Sequence, residues 1–267
     1  MAKVGRTLKI GSLLLIGILA GWEFSANSHG QMLVPQELGT GPSKSFFYTA
    51  KRFGIPILKA SIKIENGSSG QGKFIYKIHA SIDSLDYLKF LFRMNNRFVS
   101  IVEAETFSPL RYVKEIHQEG LLTKKKNYLQ TLIFDHPNKK IVMEIRGEKG
   151  NKEIPLSSET YDPLSMFAKY YLKEELHSGQ DIQMSIFDGI TLRQMVFYSK
   201  KGKVKSKIYG EIEAVCLESS TSFSSFEDKE GHIRIWYTQN GEKTPILIEL
   251  ELPVGYIKFE LESMERS

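Results

Sequence analysis

From about residue 44 onward, apolar and polar positions alternate with a period of two. Residues 74–82, 141–145, 246–251 and 255–262 each place an apolar side chain at every second position, with mostly polar ones between. Neighbouring side chains of a strand point to opposite faces, so this alternation is typical of antiparallel sheets with one buried face and one wet face. The sequence therefore predicts a mainly β protein.

Turn signals separate these alternating segments. The dipeptides Asn66-Gly67, Asp188-Gly189 and Asn240-Gly241 suit tight hairpins, because their residues tolerate positive φ. About a dozen strands are expected, mostly joined to their neighbours in sequence. We predict a large curved antiparallel sheet, or an open or half barrel, within a single β-rich domain over residues 44–267.

One segment, residues 162–177, has the periodicity of a helix. Asp162 is a good N-cap, Pro163 suits the first helical position, and Gly179 would close the segment. Its apolar residues recur at helical spacing and predict a stripe that packs on the sheet. The stripe consists of Leu164, Phe167, Ala168, Tyr171, Leu172 and Leu176.

This helix would pack against the sheet at its centre and join two candidate halves of the domain, residues 44–156 and 181–264. A second, weaker helical stretch is expected from Leu85 to Phe92. The sequence contains no repeat of 20–50 residues that would indicate a solenoid or propeller.

The N-terminus has the three-part pattern of an export signal. Lys3, Arg6 and Lys9 are followed by an uncharged, mostly apolar run over residues 10–22 and by the small residues 26–28. The run is shorter than the roughly 20 residues that a membrane-spanning helix needs. We therefore predict a signal peptide over residues 1–28, with an uncleaved anchor as the alternative, and then a flexible lead-in over residues 29–43.

Charge and cysteine content narrow the classes of function. Without Lys3, Arg6, Lys9 and Glu23 the chain carries a net charge of only +3, scattered along the sequence, which argues against a nucleic-acid partner. Cys216 is the only cysteine, so no internal disulfide can form. The alternation around it predicts an inward, buried structural thiol rather than a nucleophile.

No arrangement of residues along the chain is typical of a catalytic or metal site. The six histidines are scattered, without a metal-binding spacing, and no Gly-x-Ser-x-Gly elbow is present. Residues 67–73 match the spacing of a phosphate-binding loop, but Phe74 replaces the magnesium-binding hydroxyl and a strand follows instead of a helix. We expect no catalytic residue, no metal and no cofactor.

Several landmarks along the chain resemble the bacterial envelope family called domain of unknown function 3108. They cover nearly the whole region after the signal, and residues 239–243 depart from the family pattern, in which many members have Asp or Arg. The resemblance implies an exported β-rich protein and transfers no catalytic residue. The landmarks are Phe47-Tyr48, residues 54–56, 60–62, 161–165, 235–238, 244–246 and 254–257.

These observations favour a non-catalytic module of the cell envelope that binds or carries an apolar or lipid-like ligand, most simply as a monomer in the periplasm. Membrane contact would be through the signal or peripheral. The alternatives are an assembly factor that contacts envelope proteins and, less favoured, a hydrolase with a site dispersed in sequence. Trp236 is either a core residue or a pocket wall. The pocket candidates are Leu164, Phe167, Ala168, Tyr171 and Trp236.

The N-terminal pattern gives a direct prediction about location. We expect the full chain to leave the cytoplasm, because residues 1–28 carry the charge and hydropathy order of a secretory signal. Fractionation of expressing cells tests this, and N-terminal sequencing distinguishes cleavage after Ser28 from an uncleaved anchor. A cytoplasmic protein with residues 1–28 intact would contradict the prediction.

Overall fold

The computed structural model describes residues 43–69, 72–121, 125–157, 159–223, 229–253 and 255–267. The predicted signal peptide, residues 1–28, and nearly all of the lead-in, residues 29–43, lie outside this part of the chain. Within it, no helix has the length and hydropathy needed to cross a membrane.

Strands dominate the described residues, which also form one α-helix, α1 (Pro163–Leu172), and a 3₁₀ turn at Asp86–Leu88. The strands are β1 (Ser43–Arg52), β2 (Ile55–Ser68), β3 (Phe74–Ser84), β4 (Phe92–Glu103), β5 (Pro109–Gly120), β6 (Lys126–Asp135), β7 (Lys140–Ile145), β8 (Lys152–Pro155), β9 (Thr160–Tyr161), β10 (Asp181–Phe187), β11 (Leu192–Ser206), β12 (Gly210–Phe223), β13 (Lys229–Thr238), β14 (Pro245–Leu252) and β15 (Gly255–Arg266).

All fifteen strands form one sheet, and almost every strand pairs with its neighbours in sequence. The order across the sheet is β8 to β1 in descending number, then β15 to β9 in descending number. Pairing is antiparallel except between β9 and β10. The first and last strands, β1 and β15, pair along their length. Strands β8 and β9 are left as edges, so the sheet is not closed. The predicted mainly β fold is confirmed, with fifteen strands rather than about a dozen.

The predicted helix is present but shorter than expected. It ends at Leu172 and not near residue 177, because the N–H groups of Lys173 and Glu174 both donate to Lys169 O and close the last turn. The helix predicted from Leu85 to Phe92 is wrong: only the 3₁₀ turn forms. Phe92 already belongs to β4, where its side chain is buried and its backbone lies opposite Gly120.

The concave side of the sheet holds the core, and α1 packs into it. The helix contacts β3 and β4 in one part of the sheet and β9 and β10 in the other. Asp162 begins the helix through a capping box, in which its Oδ1 accepts the N–H groups of Leu164 and Ser165. The same carboxylate accepts the Ser100 hydroxyl from β4 at 2.7 Å, so the helix start is attached to the sheet.

Two further buried contacts join the N-terminal strands to the loop between β10 and β11. The Lys114 ammonium of β5 donates to Asp188 O at 2.8 Å, and the Gln130 amide of β6 donates to Gly189 O at 2.8 Å. Both side chains are buried, on a wall that also contains the buried polar residues Asn96, Ser100 and Gln118. These contacts hold the two ends of the sheet near each other without a backbone ladder between them.

Burial of Lys114 predicts an unusual pH dependence of stability. Desolvation lowers the pKa of Lys114 from 10.5 to about 8, partly offset by Asp188. Between about 8 and the unfolded value of about 10.4, the unfolded chain binds more protons than the folded one. The contribution of Lys114 to the free energy of unfolding therefore rises with pH across that window.

We expect the free energy of unfolding of the wild type, relative to Lys114→Met, to increase through this window by at most about 1.4 kcal/mol per pH unit. Urea unfolding at several pH values measures it. The exposed Lys152→Met of β8 is the control and should show no such trend. A difference between wild type and Lys114→Met that stays flat with pH would refute the prediction.

Candidate functional site

Four of the predicted pocket residues lie together on the buried face of α1. Leu164, Phe167, Ala168 and Tyr171 all belong to one continuous core, and Ala168 has no exposed surface. The Tyr171 ring meets Phe46 of β1 edge-on, with 5.2 Å between centroids, and stacks near Phe167 at 6.3 Å. These side chains therefore fill the space between helix and sheet with their own packing.

The fifth predicted pocket residue, Trp236, is on the opposite face of the sheet. Its neighbour Tyr237 is fully buried on the core side, and successive residues of a strand alternate in direction. The Trp236 indole donates to Glu249 at 2.9 Å and lies over Gly202, where an added Cβ would be 3.0 Å from the ring. Trp236 is thus part of the outer face and not of the helix group.

Cys216 is buried as predicted, but not against the helix. It lies opposite Trp236 in β13 and Lys200 in β11, so it shares their face. Burial raises the pKa of its thiol to about 12. The prediction that Cys216 is buried is confirmed, but the predicted inward orientation is wrong, because Cys216 shares the outer face with Lys200 and the indole of Trp236.

An open groove lies at the C-terminal end of α1. It has a volume of about 480 Å³, and its apolar surface comes from Ile64 of β2 and from Tyr171 and Leu172 of the helix. Its polar lining comes from the starts and ends of strands that meet at this end of the sheet and from the turn between β13 and β14. Tyr171 is the one predicted pocket residue that lines it.

Basic side chains predominate at this groove. Its charged lining residues are Lys44, Lys243 and Arg266 against one carboxylate, Glu242. Arg266 forms an ion pair with Glu242, and Lys243 donates to the helix-end carbonyl of Glu174 at 2.7 Å. The nearby carboxylates of Glu175 and Glu174 also act on Lys243. Lys44, in turn, forms no ion pair among the described residues.

Lys44 lies over the aromatic side of the groove. Its ammonium lies 5.1 Å from the centre of the Tyr171 ring and 5.5 Å from that of Phe46, within the range of cation–π attraction. Burial lowers the pKa of Lys44, with Arg266 acting in the same direction and Glu242 opposing it. An incoming anion would relieve this unfavourable environment, because an opposite charge favours the protonated amine.

The groove combines a short apolar surface with a cationic side. That combination suits a ligand with an apolar segment and an anionic head. Sequence reasoning identified Tyr171 and Leu172 as part of the helix stripe but missed Lys44, Lys243 and Arg266. These residues are far apart in sequence, and only the pairing of β1 with β15 and the fold of the β13–β14 turn bring them together.

Comparison with known proteins agrees with the resemblance seen in the sequence. The family described as "Protein of unknown function (DUF3108)" matches residues 47–262. The chain belongs to this family. The match extends from β1 into β15 and therefore takes in α1 and nearly the whole sheet of this DUF3108 chain.

No curated protein sequence matches this DUF3108 chain. Among solved structures, it is similar to the crystal structure of a beta-barrel-like protein of domain of unknown function DUF1849 from Brucella abortus. The two share 9% sequence identity with a TM-score of 0.49, and the match covers 84% of this chain and 97% of the other.

The packing of α1 predicts that a larger side chain at Ala168 will not fit between the helix and the sheet. Ala168→Phe should destabilise the fold by about 1–3 kcal/mol, because Ala168 is fully enclosed by core residues and overpacking forces its neighbours to shift. Urea unfolding measures this, with Lys173→Phe at the exposed helix end as the control. Unchanged stability of Ala168→Phe would instead indicate an open cavity beside the helix.

Proposed function

We propose that this protein is an exported, non-catalytic envelope module that binds a lipid-like molecule with an anionic head, at the groove beside the C-terminal end of α1. The observation that carries the proposal is the juxtaposition in this groove of Tyr171 and Leu172 with Lys44. An apolar segment would lie on the helix end and Ile64, and the head group would meet the basic side.

The packing of the helix decides where the ligand binds. The stripe residues Leu164, Phe167 and Ala168 are occupied by contacts within the core. Tyr171 and Ile64 present only small edges to the groove, so the accessible apolar surface at the helix end is mainly Leu172, which is 36% exposed. The ligand is therefore partly enclosed rather than sealed inside the sheet. A groove of about 480 Å³ lies within the ordinary size range of small-molecule sites.

Charge gives the groove its selectivity. Lys44 loses hydration at the groove wall, and its aromatic contacts do not neutralise it. A carboxylate or phosphate head would form charge-assisted hydrogen bonds there, whereas an uncharged head would leave the ammonium poorly solvated. Binding should therefore discriminate between an acid and its ester.

The alternative is an assembly factor that acts through protein contacts in the envelope. Its support is the exposed edge of β8, whose backbone groups have no strand partner on one side among the described residues. Edge strands of this kind can pair with another chain. A lipid-free preparation that retains a protein partner would favour this alternative.

The test uses a fluorescent long-chain fatty acid and its methyl ester as probes. We expect the wild type to bind the acid more tightly than the ester, and Lys44→Gln to weaken binding of the acid by about fivefold to tenfold, as loss of one charged contact implies. Native mass spectrometry before and after lipid extraction should show an apolar molecule that the extraction removes.

The matched control is Lys203→Gln, which removes an exposed lysine of β11 outside the groove. It should leave the affinity for the acid unchanged. Equal affinities for acid and ester in the wild type, or an unaltered affinity in Lys44→Gln, would rule out the proposed site.

A further inference from the structure

The end of the sheet opposite the groove exposes a group of large apolar side chains. Here the β1–β2 turn, the β3–β4 loop, the end of β5 and the β14–β15 turn lie side by side. The aromatic rim, as we call this surface, consists of Phe53, Ile55, Tyr87, Phe90, Leu121 and Tyr256, all exposed.

Register and contacts show that these tips are adjacent. Leu58, near the start of β2, lies opposite Ser84, at the end of β3, and Arg52 lies opposite Ile257 of β15. The Tyr87 hydroxyl donates to Pro56 O across the first two tips. The Phe53 ring lies so close to Gly255 that a Cβ there would be 3.4 Å from it. The rim is therefore one continuous surface.

Phe53 occupies a turn position whose backbone conformation does not favour phenylalanine. Phe53 and Gly54 form a two-residue hairpin turn with φ of 51° and 79°. Such turns prefer Asn or Asp followed by Gly, because positive φ is strained for a bulky side chain. Phe53 adopts this strained conformation although its side chain is 80% exposed and so gains little from burial. A strained, exposed aromatic at a turn tip indicates a role in contact with something outside the chain.

The charge around the rim identifies the chemistry of that contact. The described residues of these tips, 51–59, 84–93, 119–121, 125–126, 251–253 and 255–258, contain eight lysines and arginines. Five aspartates and glutamates oppose them, counting Glu260 and Glu249, which form ion pairs with Lys51 and Lys258. This excess opposes self-association, because a second copy would bring like charges together. It attracts an anionic surface, and aromatic and aliphatic tips between cations suit the head-group region of a bilayer.

We propose that the aromatic rim docks the protein on the surface of an anionic phospholipid bilayer, with Phe53 and Phe90 inserted among the head groups. The contact is peripheral and involves turn tips rather than a spanning segment. It goes beyond the proposed ligand groove, which is at the other end of the strands, so variants at either place report on one site only.

The first experiment measures sedimentation with vesicles of phosphatidylcholine containing one-third phosphatidylglycerol, compared with phosphatidylcholine alone. The wild type should prefer the anionic vesicles, and salt should weaken binding. Phe53→Asn combined with Phe90→Asn should lower the vesicle-bound fraction at least about tenfold, from the lost apolar insertion. Phe53→Asn alone should not lower the melting temperature, because Asn suits the turn.

The matched control is Phe74→Asn. Phe74 is 78% exposed at the start of β3, at the opposite end of the sheet, so its replacement removes the same side chain without touching the rim. Its binding to vesicles should equal that of the wild type. Lys203→Gln, which lies outside both the rim and the groove, should likewise leave vesicle binding unchanged.

A second measurement reads the location directly, in a Trp22→Phe background that removes the fluorophore of the apolar run at residues 10–22. Brominated lipids should quench the fluorescence of Phe53→Trp more than that of Phe74→Trp, since the native Trp236 contributes equally to both variants. Equal binding to neutral and anionic vesicles, wild-type binding by the double Asn variant, or equal quenching of Phe53→Trp and Phe74→Trp would overturn the proposal. So would rim variants that abolish a dimer formed without vesicles.

Discussion

The architecture depends on how an open sheet keeps its two ends together. Strands β8 and β9 do not pair, so no backbone ladder closes the structure. Instead, Lys114 and Gln130 reach across the interior to the carbonyls of Asp188 and Gly189. A buried ammonium without a partner is very costly, so the approach of this loop is strongly constrained by the lysine that it satisfies. Gly189, at φ of 88°, allows that approach, since a Cβ would be 2.4 Å from the Gln130 amide oxygen.

A second buried charged group, the Asp162 carboxylate, positions the helix. Asp162 is fully buried, caps α1 and accepts the Ser100 hydroxyl from β4, so one carboxylate fixes both the start of the helix and its distance from the sheet. The ten residues that follow bring Tyr171 and Leu172 to the far end, beside Lys44 and the β13–β14 turn. The groove is therefore a consequence of helix length and of this anchored start.

Sequence reasoning predicted those parts of the fold that follow from local pattern. The alternation predicted the strands, and Asp162-Pro163 predicted the start of α1 with its buried stripe. The strand count was low because short edge strands such as Lys152–Pro155 are too brief to show alternation. The end of the helix was misplaced because Leu176 continues the apolar spacing although the backbone has already turned.

The features that define the sites could not be predicted locally. Lys114 stands in a strand where a lysine normally indicates a solvated face, and its burial depends on a carbonyl 74 residues away. Trp236 was interpreted as either a core residue or a pocket wall, and only its alternation with the buried Tyr237 shows that it lies on the outer face. Phe53 and Gly54 form a tight turn with positive φ, although Phe is disfavoured at such a position. This turn was therefore not predicted from the dipeptides Asn-Gly and Asp-Gly, which are the usual sequence signals.

The two proposed sites together imply a direction for any ligand. The groove and the aromatic rim are at opposite ends of strands such as β1, whose ten residues span about 33 Å. A protein docked through the rim would hold the groove that distance from the bilayer surface, facing the aqueous phase. A single phospholipid cannot bridge this gap while still embedded in the same membrane. On these two proposals, the ligand would arrive from the aqueous side and not from the bilayer that the rim contacts, and the basic side of the groove would receive its anionic head first.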